Sequence, residues 1–166
     1  MFWRCSRDER AIGNSISCFN SIYLGKNYHN GFMTLDKRLE ADTIALCKTA
    51  SAHVRLMNDS RWPWLILIPV QSGIEELHDL TNAQRDLFMT DVNKASRIMQ
   101  STTNCQSVNV AMLGNVVSQL HCHIVARNPG DTNWPAPIWG VGVAQPYDKE
   151  RSQALDLIRA TTESFS

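Results

Sequence analysis

From Met33 onward the spacing of apolar residues changes along the chain, and each change marks an element. Leu35 and Leu39, with charges between them, predict a short helix over 36–41. Ala52 to Asn58 alternates at a period of two, with Val54, Leu56 and Asn58 on one side, as a strand does. Asn58-Asp59-Ser60-Arg61 has the composition of a turn, and Pro63 favours an extended residue before it. Trp64 to Ile68 is apolar on both faces and predicts a central strand covered on both sides, paired with the preceding strand as a hairpin. Gln71 to His78 reads as a loop.

Thr81 and Gln84 stand at capping-box spacing before Leu87, Phe88, Val92, Ala95, Ile98 and Met99, which recur at three and four. This predicts an amphipathic helix of about five turns. Ser107 to Met112 alternates again, with Val108, Val110 and Met112 on one face. Gly114-Asn115 then signals a turn into a strand over 116–127, so the two strands are expected to form a second hairpin. Strand-strand-helix-strand-strand, with the helix covering one sheet face, is an α+β domain with a mostly antiparallel sheet. After Arg127, the stretches 128–131 and 134–137 are too rich in Pro and Gly for ladders. Trp134 and Trp139 in that tail either cap a site or partner, or fill an apolar edge. Tyr147 to Thr162 reads as helical, with Leu155 and Ile158 apolar among charges.

The strand over 116–127 divides its faces unusually. Leu120, Cys122, Ile124 and Ala126 share one, and Gln119, His121 and His123 share the other. Two imidazoles and an amide in a row read as the edge of an active site. An imidazole on a rigid strand can act as nucleophile, general acid or base, or metal ligand. A metal site of the H-x-H kind needs a nearby carboxylate, which 124–128 lacks, and His29, His53 and His78 are not at ligand spacing to the pair. That reading and an ordinary wet face stand as alternatives.

Composition narrows the classes. Sixteen basic residues balance sixteen acidic ones, which leaves no electrostatic footprint for nucleic acid or an anionic membrane. Five scattered cysteines with no C-x-x-C pair argue for reduced thiols in a cytoplasmic setting. No apolar run approaches the ~18 residues of a membrane span, so a soluble chain is expected. Residues 1–32 lack periodicity and read as an appendage. The domain is expected over 33–145, with a C-terminal helix over 146–166 packed on it. Cys122 is expected to be a buried, inert thiol and Arg127 an exposed strand-end charge, with a contact to phosphate as its alternative. Arg55 and His53 are expected to be solvated, and His78 to lie on the surface.

Asn109, Gly114-Asn115 and Gln119-Leu120-His121-Cys122-His123-Ile124-Val125 resemble the signature of the histidine-triad (HIT) superfamily, His-φ-His-φ-His-φ-φ with φ apolar. The turn leading into Trp62-Pro63-Trp64 and the strand to Pro69 is similar to that family's nucleotide-binding hairpin. The similarity runs from about Leu35 to Gly140 and looks closest to small bacterial HIT-domain proteins with Gln at the first triad position. The resemblance implies a five-stranded antiparallel sheet with a long helix, usually in a homodimer. It also implies hydrolysis or transfer of nucleotides at the α-phosphate of dinucleoside polyphosphates, phosphoramidates or related compounds. The nucleophile's role falls on His121, with a nucleotidyl-imidazole intermediate, and His123 would donate to a nonbridging oxygen. Asn109, Gly114 and Asn115 match phosphate-facing or leaving-group positions, and Asn58 and Asp59 the ribose-bonding one. No cofactor is implied beyond magnesium carried by the substrate.

Two departures bear on activity. Gln119 replaces the first histidine; its main-chain carbonyl can still hold the nucleophile's other nitrogen, while proton donation from that side chain is lost. Val116 stands where a hydroxyl is usual, and losing one oriented donor costs ~2.7–4 kcal/mol of transition-state stabilisation. A nucleotide-binding or interaction protein on the same fold, with weak or no catalysis, is therefore the alternative.

Overall fold

A computed structural model describes residues 33–147 and 152–165; the expected appendage over 1–32 lies outside the described residues. The elements in order are α1 (Lys37–Asp42), β1 (Thr43–Lys48), β2 (Ala52–Met57), β3 (Trp64–Pro69), a 3-10 turn (Leu77–Asp79), α2 (Asn82–Thr103), β4 (Ser107–Met112), β5 (Cys122–Arg127) and α3 (Ser152–Phe165). The strands form one antiparallel sheet in the order β1-β2-β3-β5-β4. The α+β class and the five-stranded sheet agree with the expectation from sequence. Among the described residues no helix is long and apolar enough to cross a membrane.

Strand parity sorts the core into two layers. Val54 and Leu56 of β2, Leu65 and Leu67 of β3, and Cys122, Ile124 and Ala126 of β5 face the helices, where Phe88, Val92, Ala95 and Met99 of α2 and Leu157 and Ile158 of α3 cover them. Alternate residues Trp64, Ile66, Ile68 and Val125 face the other way, against Leu39 of α1, Trp62, Val117 and Ile138. All six residues of β3 are buried, as a central strand covered on both sides requires. Each fully buried Leu or Ile contributes ~1.5–3 kcal/mol relative to exposure, so the two layers hold the sheet from both sides.

α2 begins at the expected capping box. Gln84 N donates to Thr81 Oγ1 at 3.4 Å and Thr81 N to Gln84 Oε1 at 2.9 Å, satisfying amides the first turn would orphan. It ends at Asn104, whose φ of 50° is left-handed. Leu87, expected in the apolar stripe, is 57% exposed, and Phe88 takes the core position beside it.

Several elements differ from expectation. β1 was not visible in the alternation of residues, and it pairs with β2 through an irregularity between Ala45 and Cys47. The final strand begins at Cys122, not Val116. Residues 113–121 instead form a loop, anchored where Leu120 N donates to Ile74 O at 2.9 Å. β4 and β5 do pair antiparallel, but across that long connection rather than a tight turn. Arg127 is no exposed strand end. It is 1% exposed, its Nε and Nη2 donate to both oxygens of Asp131 at 2.8 and 2.9 Å, and its Nη1 donates to Ala136 O at 3.0 Å. Burying a guanidinium requires such pairing. Arg55 is half-buried and donates to Thr43, to Oγ1 through Nε and to the carbonyl through Nη2, so it too is engaged rather than solvated. His53 is partly buried, and burial with the nearby Lys48 and Arg55 charges lowers its pKa. His78 is on the surface.

Candidate active site

His121 just before β5 and His123 within it lie on the side away from α2 and α3, each 6% exposed, their ring centroids 4.7 Å apart and nearly perpendicular. Their neighbours decide their protonation. Nδ1 of His121 lies 2.7 Å from the main-chain oxygen of Gln119. A carbonyl only accepts, so that nitrogen carries the hydrogen and Nε2 of a neutral ring keeps its lone pair. Nδ1 of His123 lies 3.1 Å from Nε1 of Trp64. An indole N–H only donates, so this Nδ1 is bare and the neutral ring's hydrogen sits on Nε2. Two adjacent imidazoles are thus held in opposite tautomers, one offering a lone pair and the other a donor.

Burial, and then the neighbouring His121, push the pKa of His123 down to about 3, so its ring is neutral near neutral pH. Trp139 packs edge-on against His123, at 5.9 Å between centroids. Cys122, between the histidines, is buried on the helix side and burial raises its thiol pKa to about 12. It is the inert thiol expected.

The two tryptophans that touch His123 also line a cleft of about 400 Å³, which Asn58, Asp59 and Arg61 line as well. That volume falls in the range of ~300–1,000 Å³ for small-ligand sites. The stretch 141–147 crosses the turn beside it. Arg61 Nη1 donates to Val141 O at 2.6 Å, Ser60 N to Gln145 O at 2.7 Å, Gln145 N to Asp59 Oδ1 at 3.3 Å and Tyr147 N to Asn58 Oδ1 at 3.0 Å. Asp59 is buried and ion-paired to Arg61 at 2.6 Å. Burial raises its pKa, but the Arg61 side chain and the amides of Arg61 and Gln145 outweigh this and hold the carboxyl below the usual range. Asp59 therefore fastens the turn to the 141–147 stretch, and Asn58 spends its oxygen there.

The remaining sequence candidates are spread along the β4–β5 edge. Asn109 sits on β4 opposite Val125 and accepts from Arg127 Nη1 at 3.4 Å. Gly114, Asn115 and Val116 are exposed in the 113–121 loop. Gly114 has no positive φ, and a Cβ there would meet nothing nearer than Glu76 Oε1 at 3.8 Å, so the fold itself does not demand glycine. Gln119 directs its side chain to the segment before α1: Oε1 accepts from Asp36 N at 2.8 Å and Nε2 donates to Thr34 O at 3.3 Å. Among the described residues no group of three or more His, Cys, Asp or Glu side chains is placed to hold a metal ion. Trp139 was one of the two tail tryptophans for which capping a site was one of the alternatives, whereas Trp64 and Arg61 were given no site role of their own from sequence. For Trp64 the signal was parity: it shares a strand face with Ile66, the residue that register sets opposite His123.

This pair of opposed imidazoles on an antiparallel strand is joined by a match of the HIT domain to residues 38–130, over half the chain. The chain belongs to the HIT family. Among solved structures, a histidine triad (HIT) protein from Sinorhizobium meliloti 1021 is 39% identical, with 80% of this chain and 96% of that one covered and a TM-score of 0.75. A histidine triad protein from Marinobacter aquaeolei VT8 is 37% identical, with 82% and 100% covered and a TM-score of 0.77. At 17% identity the diadenosine triphosphate hydrolase of Plasmodium falciparum shares the HIT fold, with 92% and 99% covered and a TM-score of 0.52. No curated protein matches this chain.

Proposed function

We propose that this HIT protein is a nucleotide hydrolase or nucleotidyl transferase that acts at the α-phosphate of a dinucleoside polyphosphate, nucleoside phosphoramidate or related compound. The observation that carries the reading is the pair of opposite tautomers. Nε2 of His121 attacks phosphorus, the bond from phosphorus to the leaving group breaks, and a nucleotidyl-His121 intermediate forms. Its positive imidazole is stabilised through Nδ1–H by the Gln119 carbonyl. The Nε2–H of His123 donates to a nonbridging oxygen as charge grows there. Water then attacks phosphorus, releases the mononucleotide and restores His121; another acceptor in place of water gives transfer.

The nucleoside is assigned to the cleft beside Trp64 and Trp139, with ribose toward Asn58 and the 58–59 turn, and the phosphates toward Asn109, Gly114 and Asn115. Magnesium enters only with the substrate. The Gln119 amide is committed at both ends to main chain, so the leaving group takes its proton from water. That favours substrates whose leaving groups are stable as anions. The Plasmodium falciparum neighbour is a diadenosine triphosphate hydrolase, a substrate class whose phosphate leaving group fits this demand.

A second reading, nucleotide binding with little turnover, draws on Val116, which is 74% exposed and offers no hydroxyl to phosphate. Trapping of a nucleotide on His121 separates the two. The assembly proposed is a homodimer, joined along the edge strand β4, where Val110 is exposed, together with Leu113 and Val116 of the loop that follows it.

A further inference from the structure

We infer that Gln119 is a positioning residue whose side chain clamps the segment before α1 to the active-site loop and thereby aims its own carbonyl at His121. Four hydrogen bonds converge on this short piece of chain. The peptide joining Gln119 to Leu120 is held at both ends, its oxygen 2.7 Å from His121 Nδ1 and its N–H donating to Ile74 O at 2.9 Å. The Cα from which that carbonyl springs is held by the side chain, through Asp36 N at 2.8 Å and Thr34 O at 3.3 Å. The loop is not part of a sheet ladder, since β5 begins only at Cys122. Without the side-chain bonds, residue 119 itself is unanchored, and only its neighbours are held, Leu120 by Ile74 O and the core and Ser118 by Glu75.

The clamp reaches further than one ring. The clamped Asp36 caps α1, accepting from Arg38 N at 2.8 Å. At the helix's other end, Asp42 O accepts from Asn58 N at 2.9 Å, and Ala41 and Asp42 line the cleft assigned to the nucleoside. One amide side chain thus seats both the ring assigned as nucleophile and a wall of the cleft. This explains why an amide serves at this position. Simultaneous donation to one carbonyl and acceptance from a main-chain N–H is what a carboxamide supplies at any pH, whereas an imidazole loses its acceptor when protonated.

The inference uses the assignment of His121 as nucleophile only for its consequence in catalysis, because the ring tautomer can be read without turnover. Long-range ¹H–¹⁵N NMR of the full chain with labelled histidine, near neutral pH, gives the tautomer of each ring. The wild type should show His121 as the Nδ1–H form, and Gln119→Ala should turn it into a mixture. Asp36→Pro, at a residue whose φ of −56° suits proline, deletes the N–H that Gln119 accepts and should reproduce that mixture. Asp36→Ala loses only the helix cap, keeps the N–H and should retain the wild-type form. The His123 Nε2–H signal, unchanged throughout, reports that the fold persists. A single Nδ1–H form of His121 in folded Gln119→Ala or in folded Asp36→Pro would overturn the inference. If either variant does not fold, the other decides.

Discussion

The indole N–H of Trp64 points at Nδ1 of His123 across 3.1 Å, between adjacent strands β3 and β5. Because the indole cannot accept and does not titrate, it fixes the tautomer of His123 at every pH at which that ring is neutral. The donor assigned to the phosphate is therefore set by a residue two strand positions from Ile66 and buried at 8% exposure.

Trp64→Phe keeps most of the ring volume and removes the N–H. Leaving Nδ1 of His123 unpaired in a buried site costs ~1–3 kcal/mol of stability, measurable by denaturant titration. His123 remains but is no longer confined to one tautomer, so kcat should fall by less than the ~10²–10³-fold seen when an oriented donor is deleted outright. An unchanged kcat would show that the orientation of His123 is set by something else.

Acid should destabilise the protein through His123. The folded pKa of His123, about 3, lies below its ordinary 6.5 because of burial first and His121 second. Between those values the unfolded chain binds a proton that the folded one refuses. The stability from keeping this ring neutral is thus whole above 6.5 and is lost as pH falls toward 3, by roughly 1 kcal/mol per pH unit. His53, also lowered, acts in the same direction. Urea titrations across this window should give a slope that is shallower in His123→Asn, and equal slopes would refute the assignment.

Much of this architecture is legible in the residues, and the exceptions have physical causes. The α2 cap and stripe, the doubly covered β3 and the two faces of β5 follow from period and parity alone. β1 escaped because its burial runs as a period of three around the irregularity at Ala45/Cys47, which hides the alternation of a strand. Arg127 looked exposed because its partner Asp131 stands in a Pro-Gly turn, where composition announces a turn but not what the carboxylate meets. His121 and His123 were found from spacing. Trp64 was not, because its role depends on the β3–β5 register, a long-range fact that local periodicity does not encode.

Asp131→Asn leaves the Arg127 guanidinium buried against a neutral amide. Breaking a buried pair costs ~3–5 kcal/mol, and the partial exposure of Asp131, 15% of its side chain, places the expected loss near the lower figure. Thermal or urea unfolding measures it. A loss under about 1 kcal/mol, the worth of a surface pair, would contradict the structural role given to Arg127.

If β4 forms the proposed dimer edge, Val110→Glu, at a position 46% exposed, places a charge in the interface. Sedimentation velocity should show a dimer for the wild type and a shift toward monomer for the variant. A wild-type monomer at high concentration would contradict the proposed assembly.

The central claim is that His121 carries the nucleotide during turnover. Intact-protein mass spectrometry, kept clear of acid, after brief mixing with an adenosine phosphoramidate or a dinucleoside polyphosphate tests it most directly, beside His121→Ala. The account predicts an added nucleotidyl mass on the wild type and neither adduct nor product from the variant. Turnover that survives in His121→Ala, or a wild type that binds nucleotide yet forms neither adduct nor product from either compound, would contradict it.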